Sequence, residues 1–98
     1  MKKVIISLLI LSQVLFALNA TYHGEKYILC SSERYLDDWV GFVNDGDKAS
    51  MRSYFGNQCI MLKNPIQVSS VDSHIFKGTV SFFYKGYKFW GHLEGIER

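Results

Sequence analysis

Hydrophobic positions along the chain fall into three regimes. From Val4 to Leu18 they are nearly continuous, broken only by Ser7, Ser12 and Gln13. Across "SSERYLDDWVGFVNDGDKASMRSYFGNQ" they recur at helical intervals, and from Cys59 onward β-branched and aromatic residues take over. Leu36, Trp39, Val40 and Val43 stand at i, i+3, i+4 and i+7, one apolar stripe along a helix. Ser31 or Ser32 is placed to cap its start, with Glu33 in the first turn, where the helix dipole favours a negative charge. "NDGD", residues 44–47, is a turn, and Asp47 is placed to cap a second short helix. Met51, Tyr54 and Phe55 would form the inner face of that helix, and Gly56-Asn57 its end.

The remainder is strand-like. "CIMLKNPIQVSSV" predicts a strand, a turn or bulge at Asn64-Pro65 and a second strand, because proline cannot donate to a ladder. "DSH", residues 72–74, is expected to be a connecting turn. "GTVSFFYKGYKFWGHLEGI" predicts a hairpin with a two-residue loop at Lys85-Gly86, which pairs Tyr84 with Tyr87, Phe82 with Phe89 and Ser81 with Trp90. Alternation then puts Val80, Phe82, Tyr84, Tyr87, Phe89, Gly91 and Leu93 on one almost wholly apolar face, the core. Thr79, Ser81, Phe83, Lys88, Trp90 and His92 share the other. There Phe83, Trp90 and His92 form an exposed aromatic patch, or else Trp90 packs against Trp39 beneath the helix stripe. The expected fold is α+β: two short N-terminal helices on a small, curved antiparallel sheet.

The first regime is a targeting signal rather than part of that fold. Lys2 and Lys3, a short apolar run and small or polar residues ending at Ala20 have the layout of a secretory signal peptide. The run is short for a membrane span, which needs about 20 apolar residues. Cleavage is expected after Ala20, with Ala17 as second choice, so residues 1–20 are the signal and 21–98 a single domain. Retention as an N-terminal anchor is the alternative. A mature chain of 78 residues, 98 less 20, has a marginal core and calls for a covalent staple. An exported protein with two cysteines and no CxxC spacing points to a Cys30–Cys59 disulfide. Such a bridge closes a loop of about 30 residues and contributes about 3.5 kcal/mol in the chain-entropy model.

Removing the signal also changes the charge. Of eleven Lys and Arg, Lys2 and Lys3 depart, leaving nine against nine Asp and Glu. A net charge of zero argues against a nucleic-acid partner, which wants a clear basic excess. No basic amphipathic stretch suits a membrane surface after cleavage. His23, His74 and His92 are scattered without metal-ligand spacing, so no metal or cofactor is expected. Asp37 and Asp38 are adjacent and diverge on a helix. No GxSxG, phosphate loop or CxxC is present. An enzyme would need His74 or His92 beside a carboxylate or a free thiol, such as a Cys30/His74 or Cys59/His92 dyad, and the disulfide accounts for both cysteines more simply.

Two stretches carry a resemblance. "GDKASMRSYFGNQCIMLKNPIQV" and "GYKFWGHLEGI" resemble small exported bacterial proteins with an SH3-like (SH3b-type) barrel. Trp90, His92 and Ile96 match the late motif, whereas Asn64-Pro65 stands for the expected Gly and Gly91 for the usual Val. The resemblance covers residues 44–96 and implies an SH3-like partial barrel with a non-catalytic binding role at the cell envelope. It puts forward Trp90 and His92, with Tyr84 and Tyr87 at the hairpin tip. The expected function is thus a secreted or periplasmic module that binds a protein or cell-wall peptide through Phe83, Tyr87, Trp90 and His92. The alternative is a small inhibitor or immunity-type protein that plugs an enzyme cleft with "NDGD" or "VDSH".

Overall fold

The computed structural model describes residues 20–98. The signal read in the sequence lies outside the described residues except for Ala20. Seven short strands and two helices follow in order: β1 (Ala20–Tyr22), β2 (Leu29–Cys30), α1 (Glu33–Asp45), α2 (Lys48–Tyr54), β3 (Cys59–Ile60), β4 (Ile66–His74), β5 (Thr79–Tyr84), β6 (Tyr87–His92) and β7 (Ile96–Glu97). All pairings between these strands are antiparallel, in the order β3-β2-β6-β5-β4-β1-β7. The α+β class is as expected. The helices, however, are not the first elements: β1 and β2 precede them.

The β5–β6 hairpin has the predicted register, with Tyr84 opposite Tyr87, Phe82 opposite Phe89 and Ser81 opposite Trp90. Its loop residues Lys85 and Gly86 both have positive φ, 51° and 83°, the geometry of a type I′ turn, whose twist matches that of the flanking strands. "DSH" is not a turn. It ends the nine-residue β4, and the connection falls instead on a 3₁₀ turn, Ile75–Lys77, closed by Gly78 in the left-handed region. β4 serves two partners. Its first residues, 66–68, pair with β1 and its later ones with β5, and the register slips between Ser69 and Asp72, where Ser70 has φ 51°. A bulge of this kind bends a strand, and here it turns the sheet.

The sheet curls far enough for β1 to face β6, although β5 and β4 lie between them in the strand order. Tyr22 of β1 is fully buried, its ring 4.7 Å from that of Phe82. Its hydroxyl donates to the Ile28 carbonyl at 2.6 Å and accepts from the His92 amide at 3.1 Å. Burial pushes the phenol pKa above its ordinary value. This packing explains Gly91: a Cβ there would lie 2.3 Å from the Tyr22 oxygen. Ala20, Leu29, Val68 and Val80 complete the core inside the curl.

A second, smaller core lies on the outer face. Ile28, Cys30, Leu36 and Cys59 are buried there, with Tyr35, Trp39, Tyr54 and Trp90 packed around them. Cys30 and Cys59 are direct partners on β2 and β3 and form the expected disulfide, Cα–Cα 4.0 Å. The bridge therefore closes the base of the helical excursion that leaves the sheet after β2 and returns at β3. α1 begins where Ser32 accepts from the Tyr35 amide and ends at Gly46 in the left-handed region; Asp47 then caps α2 by accepting from the Ser50 amide. The Tyr54 hydroxyl donates to Asp38 at 2.7 Å and ties the two helices together.

Candidate functional site

The register separates the four residues singled out in the sequence. Phe83, Trp90 and His92 lie on one face of the hairpin and Tyr87 on the other, since neighbours on a strand alternate. Phe83 is 38 % exposed and Tyr87 72 %. Alternation assigned Tyr87 to the core, but it stands at the hairpin tip, beyond the part of the sheet that the curl covers. Trp90 is half-buried against the disulfide cluster, with the Lys88 ammonium 4.9 Å from its ring centre. Both Trp90 and Trp39 flank that cluster.

His92 is half-buried at the end of β6, its ring 6.1 Å from that of Tyr27. Burial holds its pKa below the ordinary histidine value, so it is a neutral imidazole near pH 7. It lines a cleft of about 230 Å³ together with Trp39, Val40, Val43 and Asn44 of α1. Sequence spacing put Val40 and Val43 on the inner stripe. Only Leu36 of that stripe is fully buried, whereas Val40 and Val43 are exposed. The reason is geometric. The second core is small, and a stripe spanning two turns overruns it.

The other flank of Trp39 opens onto a second cleft of about 320 Å³, lined by Met51, Arg52 and Phe55. Phe55, expected on the inner face of α2, is the exposed C-cap residue, its ring 6.5 Å from that of Trp39. Trp39 is thus the shared wall of two shallow apolar depressions, rimmed by Val40, Val43 and Phe55, with Asn44, Arg52 and His92 as its polar groups. The sequence signal for it was the helical stripe itself, which was read as core.

Two further features stand apart from this surface. His23 sits between two carboxylates, its Nδ1 2.9 Å from Glu25 and its Nε2 2.6 Å from Glu97. Glu97 first and Glu25 second hold its pKa above the ordinary value. At the far end of β4, Ile75 and Phe76 protrude, and Phe76 is fully exposed. They border an open depression of about 390 Å³ with Ser73, His74 and Lys77, and Lys77 is ion-paired to Glu33 of α1. Both cysteines are in the disulfide. Among the described residues no three His, Cys, Asp or Glu side chains are grouped to hold a metal ion, and no helix is long and apolar enough to cross a membrane. The chain matches no protein-family model, no curated protein and no solved structure.

Proposed function

We propose that this protein is an exported, non-enzymatic binding module that takes an apolar segment of a protein or cell-envelope peptide on the surface around Trp39. The leader pattern and the cysteine bridge support export, since disulfides persist in oxidising compartments. The small curled sheet supports reading the fold as an SH3-like partial barrel. One observation carries the choice of surface: Trp39 separates two apolar depressions whose rims, Val40, Val43 and Phe55, face solvent without cover. An aromatic anchor with apolar neighbours and a sparse polar rim is the composition of a binding hot spot. His92 is the residue of the sequence-derived set that belongs to it. Phe83 and Tyr87 stand at some remove, on the hairpin.

Panning a random peptide library on the immobilised, oxidised protein tests the reading. Enriched sequences should carry spaced apolar or aromatic residues, and their binding should be lost on Val43→Glu, a substitution at an exposed site. Enrichment of no sequence above background, or binding indifferent to Val43→Glu, would remove the proposal.

A second reading, an inhibitor-type protein acting through a loop, is favoured by the exposed Ile75-Phe76 turn. The residues expected to plug a cleft do not suit it: "NDGD" is committed to ending α1 and capping α2, and "VDSH" lies within β4. The turn just after "VDSH" does protrude. Phe76→Ser would abolish this activity and leave peptide binding around Trp39 untouched.

A further inference from the structure

The leader pattern offers two cleavage sites, after Ala20 first and after Ala17 second. Ala17 and Ala20 each offer the small residue required before the cut, and Leu15 and Leu18 stand at the equivalent position two residues earlier. The fold separates them. Ala20 is the first residue of β1, only 1 % exposed, and belongs to the core cluster with Tyr22, Val68 and Phe82. Its strand partner is Val68, itself fully buried. β1 is an inner strand, paired with β4 on one side and β7 on the other, and Thr21 is matched on both sides, to Gln67 and to Glu97. A chain starting at Thr21 would lose a core side chain and one of three β1–β4 pairs. It would also place a charged α-ammonium in the middle of a sheet, where desolvation disfavours it.

We infer that the leader is removed by hydrolysis of the Ala17–Leu18 peptide bond, so that the mature protein begins Leu18-Asn19-Ala20 and keeps β1 whole. Water adds across the bond: Ala17 leaves with the leader as a carboxylate, and Leu18 becomes the new amino terminus. The inference rests on the export reading above.

The test uses the full chain, expressed with its leader in a bacterium and recovered from the periplasm by osmotic shock. Amino-terminal sequencing should read Leu-Asn-Ala-Thr-Tyr, and Ala17→Asp should stop processing. A terminus reading Thr-Tyr-His overturns the inference while leaving export intact. Uncleaved chain confined to the cytoplasm overturns both. Two directly made mature forms give an independent check. The form starting at Thr21 should melt about 5 °C or more below the form starting at Leu18, since one kcal/mol shifts a domain of this size by about that much. Equal melting temperatures would remove the reason for the assignment.

Discussion

At the scale of single residues, the decisive one is Tyr22. Its ring fills the curl and its hydroxyl serves two backbone groups on different strands. Tyr22→Phe should keep the fold and cost about 1–3 kcal/mol, the penalty for leaving buried backbone groups unpaired. Gly91→Ala should cost at least as much, because its methyl group meets the phenol oxygen, and overpacking a filled core costs about 1–3 kcal/mol or more. Chemical denaturation with an unchanged slope checks both. The histidines set opposite pH trends. His23 has a raised folded pKa, so its contribution is full below the unfolded value, about 6.5, and is lost as pH rises through the elevated one. His92 has a lowered folded pKa, so its contribution is present above about 6.5 and lost as pH falls through the depressed one. Stability should therefore fall on both sides of about pH 6.5. His23→Gln should flatten the alkaline limb and leave the acid limb unchanged, as followed by melting temperature against pH.

At the scale of elements, the hairpin was legible and the short strands were not. The two-residue loop at Lys85-Gly86 set the β5–β6 register even though Phe82-Phe83-Tyr84 and Phe89-Trp90 interrupt the alternation, whereas β1, β2 and β7 have two or three residues each, too few for a period to show. "DSH" was misread because its polarity suggests a loop, while its residues form ladder pairs with β5. The helix caps at Ser32 and Asp47 were readable because capping needs only a local side chain. What the helices bury was not, since the periodic stripe does not reveal how wide the partner surface is. Lys85 occupies a left-handed position where Asn-Gly is the favoured pair. Lys85→Asn should raise stability by about 0.5–1 kcal/mol, given a cost of about 1–2 kcal/mol for that conformation in ordinary residues, and thermal unfolding would show it. Trp90→Ala should destabilise by about 2–3 kcal/mol, because the indole packs on the disulfide cluster. That substitution therefore tests packing rather than recognition.

At the scale of the whole molecule, two small cores share one sheet. The inner one is built around Tyr22, and the outer one is clipped by Cys30–Cys59. The composition and cysteine count foretold the staple, and the bridge lies where it closes the helical excursion. Reduction should therefore loosen α1 and α2 first, with their amides exchanging faster than those of β5 and β6 in the reduced protein. The candidate site was half visible in advance: His92 was singled out, while Trp39, Val40 and Val43 were noticed as a stripe and assigned to the interior. The most direct measurement is the affinity of a panned peptide for three proteins: the wild type, Val43→Glu and the hairpin double variant Phe83→Ala/Tyr87→Ala. If the Trp39 surface is the binding site, Val43→Glu weakens binding at least tenfold and the hairpin variant binds like the wild type. The reverse pattern, with loss in the hairpin variant alone, would contradict the account.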